Sequence, residues 1–345
     1  MLEKQFRLQN PLTDLLQYQV TSYHLQQKAT VQLTLEAKAK SVYYAHQLDA
    51  ELRVYQNGVV GIEIKERGSP MRSDDFRASQ FAGVEWDNLA ENSGVRVTEG
   101  ESTLRVEFAG EDEPLELIVN FDPFEVKMYV QGEYVMGVNP GGNKVLLENA
   151  NYYYRHNDPY AEDRVDIASP ESEPDFFVDP RLQPLFERLI TDGAPFESKR
   201  YEPSNSDPYN PDFKHSVSLG FHMPHEHLYG LPERAFQFRL KTTEDIGPYR
   251  LFNQDLFPHS CDANTNLYGS VPYLTGHSTS SDASIAWLNA GDTWVSLLNQ
   301  TKIDGAPGTL VSFTSEAPVL EFFIFGSKRG PWRVQKQLAD LSGYP

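Results

Sequence analysis

Short runs in which apolar and polar residues alternate recur along most of this chain, and no other feature limits its fold as strongly. Residues 31–36 and 104–108 show the pattern clearly, since every second side chain is apolar. A period of two predicts a β-strand with one buried face. Asn57 and Gly58, between two such runs, predict a two-residue hairpin turn. The pattern therefore favours an all-β fold.

The runs fall into two groups, on either side of a segment with a different composition. Strands are predicted at residues 31–36, 48–54, 59–64, 104–108, 115–119, 124–130 and 145–147, and again at 216–221, 236–240, 283–288, 294–298, 310–313 and 319–325. The last run is almost continuously apolar, which predicts that both of its faces are covered. Between the groups, residues 155–212 are rich in Asp, Glu, Pro and Ser, and we expect a long surface insert there.

The end of the chain has the period of a helix instead. Val334, Leu338 and Leu341 fall on one helical face. Pro331 suits the first turn, and Gly343 suits the position just after the last turn. Many short strands followed by one helix predict a two-sheet β-sandwich.

The length agrees with this architecture. A chain of 345 residues can bury a large core, and β-sandwiches often exceed 200 residues as a single unit. We therefore predict one sandwich over residues 1–330, with the acidic, Pro-rich insert at about 155–212 inside it. A linker helix is predicted over 331–345.

Charge restricts the partners. The chain has 30 basic and 49 acidic residues, and its formal net charge is −19 at pH 7. Nucleic acids and anionic lipid surfaces favour Lys and Arg, so this balance argues against both as partners. No apolar stretch of about 18 residues occurs, and the first residues lack the apolar core of a signal peptide. We expect either a cytosolic protein or a natural N-terminus that lies further upstream.

A group of histidines could suggest a metal site. His222, His225 and His227 lie close together with Glu226, but Pro224 excludes a helix interior, where the usual spacing of zinc ligands occurs. On a strand, His225 and His227 would share a face without an evident third ligand. The favoured interpretation is a polar turn that leads into a strand, and no metal or cofactor is predicted.

The residues needed for known hydrolytic mechanisms are not evident. Glycoside hydrolysis needs two carboxylates across the scissile bond, and none of the 49 acidic residues lies in the pattern that a barrel strand would show. The serine motif Gly-x-Ser-x-Gly and a phosphate-binding loop are also missing from the sequence. Cys261 is the only cysteine, and its nearness to His259 in sequence does not make a catalytic pair. No catalytic residue is assigned.

One stretch has the composition of a sugar-binding loop. Asn253 and Asp255 lie among aromatic residues in the segment 248–258, which is followed by Tyr268 and Tyr273. Amides and carboxylates accept and donate hydrogen bonds to hydroxyl groups, while aromatic faces cover the C–H side of a sugar. A structured loop around a buried, hydrogen-bonded Asp would have the same composition, and both interpretations remain open on the residues alone.

Three ordered motifs resemble a known family. They are Leu-Tyr-Gly-Leu-Pro-Glu-Arg-Ala at 228–235, Pro-Tyr-Arg-Leu-Phe-Asn-Gln-Asp at 248–255 and Leu-Tyr-Gly-Ser-Val-Pro at 267–272. Together they resemble the N-terminal domain of glycoside hydrolase family 31, and within it the α subunits of the glucosidase II type. The resemblance is good from about residue 195 to the end and looser over residues 12–150.

The resemblance implies a fold and a role. The fold is a galactose-mutarotase-like sandwich that precedes a (β/α)₈ barrel, and the barrel carries the catalytic aspartates, which this chain is expected to lack. A sandwich loop reaches the barrel mouth, which makes Asp255 and its neighbour Asn253 the predicted substrate-binding residues. The implied partners are a glucosylated oligosaccharide, bound together with the barrel, and a glucosidase II β-type subunit. The implied location is the endoplasmic reticulum lumen, where such enzymes trim glucose from N-glycans.

Alternatives and one further site remain. The chain could be a stand-alone, non-catalytic module that binds sugar or a protein partner. Aldose epimerase activity would fit a mutarotase-like fold, but its His pair and base cannot be assigned. Asn299, followed by Gln300 and Thr301, forms an N-glycosylation sequon if the protein enters the secretory pathway. The apolar run before Asn299 could instead bury it.

Overall fold

Two antiparallel β-sheets form the body of the protein in the computed structural model of the chain. The structure describes residues 17–26, 29–38, 45–68, 90, 94–110, 113–147, 216–255, 264–288, 293–303, 306–316 and 319–343. Within these ranges there are 18 strands and two α-helices. The prediction of an all-β, two-sheet sandwich with a C-terminal helix is confirmed.

The first sheet joins strands from both ends of the described chain. Its eight strands lie in the order β1 (Tyr18–Leu25), β2 (Thr30–Ala37), β3 (Gln47–Val54), β4 (Val60–Glu66), β18 (Val319–Ser327), β15 (Asp282–Trp287), β14 (Tyr273–His277) and β12 (His227–Gly230). Because β18 pairs with β4, the first and last strand groups of the chain close into one sheet.

The second sheet has ten strands. Its order is β13 (Tyr249–Leu251), β16 (Thr293–Ile303), β17 (Ala306–Glu316), β11 (Ser216–Met223), β9 (Glu133–Val138), β8 (Phe124–Val130), β7 (Leu115–Phe121), β6 (Thr103–Phe108) and β5 (Val95–Glu99), and β10 (Val145–Leu147) pairs with β11. The two helices are α1 (Thr243–Ile246) and α2 (Pro331–Ser342).

The core between the sheets is built around one aromatic stack. The indole ring of Trp287 lies nearly parallel to the rings of Phe313, at 5.1 Å, and Phe322, at 5.9 Å. Phe221 packs edge-on against all three rings. The indole N–H of Trp287 donates to the hydroxyl oxygen of Ser315 at 2.8 Å, so the polar atom of this buried ring is satisfied. Residues of β11, β15, β17 and β18 thus join the two sheets.

Helix α2 explains why β18 is apolar on both faces. Every residue of β18 is buried. Val334 and Leu341 of α2 belong to a second apolar cluster with Tyr55, Phe323 and Phe325, on the side of β18 away from the main core. Gly343, with φ of 87°, follows the helix directly. The predicted helix and the predicted double coverage of the last strand are both confirmed.

The turn between β3 and β4 differs from the prediction. The amide of Tyr55 donates to the carbonyl oxygen of Val59 at 2.9 Å, so the loop holds three residues rather than two. Gly58 is its third residue and has φ of 80°, a left-handed conformation that glycine adopts without steric cost. Asn57 turns outward instead and hydrogen-bonds the backbone of Gln337 in α2 at 3.2 Å.

One predicted strand is wrong. Residues 236–240 alternate in the sequence but form an irregular segment, which the hydrogen bond from the Leu240 amide to the Leu228 carbonyl oxygen ties to the edge of β12. The predictions made no strand of β1, β5, β9, β12, β13 or β14. The insert predicted at 155–212 and Cys261 lie outside the described residues. Neither helix in the described part has the length and apolar character needed to cross a bilayer.

Candidate functional site

The three motifs of the sequence meet on one surface of the molecule. The amide of Glu233 donates to the carbonyl oxygen of Gly269 at 2.8 Å, and the amide of Leu267 donates back to Glu233 at 2.9 Å. The amide of Gln254 donates to the carbonyl oxygen of Leu267 at 2.7 Å. Segments 231–234, 252–255 and 264–271 therefore form one hydrogen-bonded unit, which we call the motif platform.

Arg234 holds the motif platform together from below. Its guanidinium donates to the carbonyl oxygens of Leu231, at 2.7 Å, and Arg250, at 2.8 Å, and to the side-chain oxygen of Asn264 at 3.1 Å. It also lies 5.2 Å from the ring centre of Tyr249. Burial lowers the pKa of Arg234 to about 10, which still leaves it charged at neutral pH. The side chain of Arg234 thus connects segments 231–234 and 264–271 with β13, the strand that leads into segment 252–255.

Asn266 performs the same task with an amide. It is buried, and its side-chain nitrogen lies within hydrogen-bond distance of the carbonyl oxygens of Phe252, at 3.2 Å, and Gly269, at 3.0 Å. The hydroxyl oxygen of Ser270 is also 3.0 Å away. A short amide that satisfies backbone carbonyls in this way fixes an irregular loop much as a ladder of hydrogen bonds fixes a strand.

The upper surface of the motif platform carries the predicted substrate-binding residues. Asn253 and Asp255 are both exposed, so the alternative of a buried, structural Asp255 is wrong. The hydroxyl of Tyr268 donates to a carboxylate oxygen of Asp255 at 2.8 Å, and this hydrogen bond raises the pKa of Tyr268. Glu233 is exposed as well, and it accepts a hydrogen bond from the Gly269 amide at 3.0 Å.

Apolar faces surround these carboxylates. Phe252, Tyr268 and Val271 are exposed large side chains of the same segments. The guanidinium of Arg250 lies 4.5 Å from the ring of Phe252 and 5.0 Å from the ring of Trp294, so it holds Phe252 against the second sheet. Hydrogen-bond acceptors beside exposed rings are the combination that a sugar needs for its hydroxyl groups and its C–H face.

The histidines that the sequence suggested as metal ligands have separate hydrogen-bond partners. His222 is buried, and its Nδ1 is 2.9 Å from the hydroxyl oxygen of Tyr134. His225 is also buried, with its Nε2 at 3.5 Å from the hydroxyl oxygen of Ser281. Across the described ranges, no group of three His, Cys, Asp or Glu side chains is placed to hold a metal ion.

His225 has an unusual electrostatic environment. Burial, together with the nearby imidazoles of His277 and His222, lowers its pKa to about 4, while Glu133 acts in the opposite direction. His277 itself is 2.6 Å from a carboxylate oxygen of Asp282. Burial raises the pKa of Asp282, and the contact with His277 offsets part of that effect.

Sequence reasoning did not assign a role to four of these residues. Glu233, Arg234, Asn266 and Tyr268 lie within or beside the motifs, but nothing in their spacing shows that Arg234 and Asn266 point inward while Glu233 and Tyr268 point outward. The signal available was their residue type, since an Arg and an Asn in Gly- and Pro-rich segments often hydrogen-bond backbone carbonyls.

A comparison with family models decides what this platform belongs to. The model described as the glycosyl hydrolase 31 N-terminal galactose mutarotase-like domain matches residues 49–295, which is more than half of the chain. The chain belongs to this family. The match covers all three segments of the motif platform, so the platform is part of a glycoside hydrolase family 31 N-terminal domain.

Sequence relatives point to one branch of family 31. Neutral alpha-glucosidase AB of Mus musculus is 39% identical over 157 residues, which are 41% of this chain and 16% of that protein. Glucosidase 2 subunit alpha of Saccharomyces cerevisiae is 35% identical over 147 residues, or 42% of this chain and 14% of that protein. The chain thus matches a small part of the length of these relatives.

Solved structures show the same fold. A glucosidase II alpha subunit in its DNJ-bound form has a TM-score of 0.68 and 20% identity, and the likeness covers 99% of this chain and 36% of that chain. The catalytic subunit in an ER glucosidase II heterodimeric complex with the binding domain of its regulatory subunit has a TM-score of 0.66 and 18% identity over 99% of this chain and 37% of that chain. At these identities, the likeness establishes the sandwich fold.

Proposed function

We propose that this chain serves as the N-terminal sandwich of a glucosidase II-type α-glucosidase that removes glucose from N-glycans. In this proposal the motif platform binds the glucosylated oligosaccharide, and a (β/α)₈ barrel supplies the carboxylates that break the bond. The observation that carries the proposal is the exposed pair of Asp255 and Tyr268, hydrogen-bonded at 2.8 Å on a platform whose residues belong to a family 31 domain.

The geometry of the platform supports a binding role rather than a catalytic one. Asp255 uses one of its acceptor positions for Tyr268, and a carboxylate has about four. Asn253 is exposed on the same short segment. Glycosidases of this general kind need a carboxylic acid and a second carboxylate on opposite sides of the bond, and a hydrogen-bonded surface loop instead orients hydroxyl groups.

The location and the protein partner form part of the same proposal. A relative of matching fold is the catalytic subunit of an ER glucosidase II heterodimer that includes a regulatory subunit. We propose the endoplasmic reticulum lumen as the location of this chain and a β-type regulatory subunit as its partner. The net charge of −19 agrees with a neutral oligosaccharide as ligand.

Replacing Asp255 in an active enzyme tests the proposal. Residues 1–345 of this chain are joined to the barrel of a glucosidase II α subunit, and kcat/KM is measured on a glucosylated N-glycan. Asp255→Ala should lower kcat/KM by about 10- to 100-fold, because a hydrogen bond to a charged group contributes about 1.5–3 kcal/mol. Asn253→Ala should lower it less, since its amide is uncharged.

A matched substitution separates binding from general damage. Glu244 is an exposed acid on α1, outside the motif platform, and Glu244→Ala should leave kcat/KM unchanged. If Asp255→Ala retains the kcat/KM of the unmodified enzyme, Asp255 does not contact the substrate. If the isolated chain binds the glycan but the joined enzyme does not depend on Asp255, a stand-alone sugar-binding module becomes the better account.

A further inference from the structure

A groove lies on the side of the sandwich where the irregular segment 237–242 passes β16 and β17. Its volume is about 500 Å³, in the range of pockets that hold small ligands. Leucines contribute its apolar lining, and polar side chains surround them; the residues used below are Leu228, Gln237, Arg239, Leu297, Asn299 and Thr309.

The wall formed by Leu297 is rigid. The hydroxyl of Thr243 donates to the carbonyl oxygen of Leu297 at 3.2 Å, and the amide of Leu297 donates back to the same hydroxyl oxygen at 3.0 Å. The amide of Leu240 donates to Leu228 at 2.8 Å on the opposite wall. The groove is therefore formed by the fold itself.

Asn299 lies on the rim of this groove for a simple geometric reason. In a strand, alternate residues share a face, so Asn299 lies on the same face of β16 as the buried residues Val295 and Leu297. Thr309 is its partner across the β16–β17 pairing. The side chain of Asn299 is exposed, because the core ends at Leu297.

The residues after Asn299 complete the sequence signal for N-glycosylation of this exposed side chain. Asn299, Gln300 and Thr301 form the only Asn-x-Ser/Thr triplet in the 345 residues in which x is not Pro. Burial behind the preceding apolar run was the alternative to modification, and the exposed side chain removes it. We propose that Asn299 carries an N-linked glycan and that the innermost sugar of this glycan lies in the groove.

The modification requires a donor of defined chemistry. The side-chain nitrogen of Asn299 forms a bond to the anomeric carbon of an oligosaccharide carried on a lipid diphosphate. The bond between that carbon and the diphosphate oxygen breaks, the lipid diphosphate leaves with the electron pair, and the amide loses one proton. The donor is available in the endoplasmic reticulum lumen, so the inference rests on the location given under Proposed function.

The groove suits a sugar that is attached at its rim. Leu228 and Leu297 form the floor of the groove and are almost fully buried, so the contacts open to a sugar come mainly from the rim, where Gln237, Arg239 and Thr309 offer groups that bond its hydroxyl and acetamido oxygens. The covalent link holds the sugar beside the groove at a high effective concentration, so even a weak contact is populated. The innermost sugar is therefore expected to replace water at the polar rim of the groove.

Occupancy is tested by secretory expression of the full chain. The chain is expressed behind a cleavable signal peptide in a eukaryotic host, and gel mobility is compared in whole-cell extract before and after peptide N-glycosidase. One enzyme-sensitive glycan is expected in the unmodified chain and in Thr301→Ser, and none in Asn299→Gln or Thr301→Ala. Peptide mapping of the protein from its own cells should show the same modified Asn299. An unmodified Asn299 in both preparations overturns the proposal.

Contact with the groove is tested by thermal unfolding. Trimming the glycan to its innermost sugar gives a form whose Tm is expected to exceed that of Asn299→Gln by about 1–3 °C. When Arg239→Ala is added to both forms, the difference in Tm should become smaller, since the rim has lost the guanidinium donor. Equal Tm values in the unmodified background would show that the sugar does not use the groove. Kinetics of Asp255→Ala are independent of these results, so failure here leaves the proposed substrate-binding role of the motif platform standing.

Discussion

Acid should weaken this sandwich through one buried histidine. His225 lies between β11 of the second sheet and β12 of the first sheet, and it is 4% exposed. The charged groups that face it are His222 on β11, His277 on β14 and Glu133 on β9. Glu133 is already paired with Lys328 at 2.6 Å, so it has little capacity to stabilise a second cation. Protonating His225 would therefore place a poorly compensated charge in the interior.

The sign and size follow from the pKa values. The pKa of His225 is lowered from 6.5 to about 4 in the folded chain. Between these values the unfolded chain binds a proton that the folded chain does not, so the free energy of unfolding falls as the pH falls. The loss begins near pH 6.5 and is complete below about pH 4, and it amounts to about 3 kcal/mol, at 1.36 kcal/mol for each pH unit.

Urea unfolding at about pH 7 and at about pH 4 measures this contribution. The variant His225→Gln keeps a polar side chain that does not titrate in this range. The unmodified chain should lose about 3 kcal/mol more than His225→Gln between the two pH values, even if the variant is less stable at both. A constant offset cancels, because only the change with pH is compared.

An exposed histidine provides the control for general acid effects. His24 lies on β1 with its side chain in solvent, and His24→Gln should follow the unmodified chain at both pH values. If His225→Gln also follows it, with the same loss of stability between about pH 7 and pH 4, then His225 is not the group that responds to acid and the reasoning from its burial fails.

Two further predictions concern packing. Arg234→Met should lower the free energy of unfolding measured in urea by about 2–4 kcal/mol, because the carbonyl oxygens of Leu231 and Arg250 lose their donor. Met at the exposed Arg239 should change it by less than about 0.5 kcal/mol. Gly276→Ala should lower the free energy of unfolding by about 1–3 kcal/mol, since its Cβ would lie 2.7 Å from Cγ of His225. Ala at Gly94 would meet its nearest atom at 3.6 Å and should be tolerated. Equal effects of the two substitutions would contradict the packing argument.

The strands found from sequence and those missed differ in their surroundings. Strands β2, β7 and β18 have clear patterns, because their faces meet either the core or solvent along the whole length. In β5 only Val95 and Val97 turn inward and neither is fully buried at this sheet edge, so the apolar pattern is too short to stand out in the sequence. Residues 236–240 were predicted as a strand but are irregular. Their alternating segment lies along the edge of β12 without forming the regular hydrogen bonds of a sheet.

The residues of the candidate site also fall into those that the sequence could indicate and those that it could not. Asn253 and Asp255 could be singled out because their residue types beside aromatic rings indicate a sugar, and their exposure agrees with that prediction. Glu233 and Tyr268 join them through backbone and side-chain hydrogen bonds between segments more than ten residues apart. Such pairings have no period in the sequence, so no count of residues could place the two pairs on one surface.

The internal bonding of the motif platform bears on how it would act in an enzyme. Arg234 and Asn266 draw all of their described hydrogen-bond partners from the sandwich itself. The orientation of Asp255 is set by Tyr268, which is also a platform residue. Because this loop is ordered before any substrate arrives, little conformational entropy is lost when a sugar binds to it. In the proposed enzyme the sandwich would thus supply a preorganised acceptor, and the rate of the reaction would depend on how a catalytic domain is positioned against it.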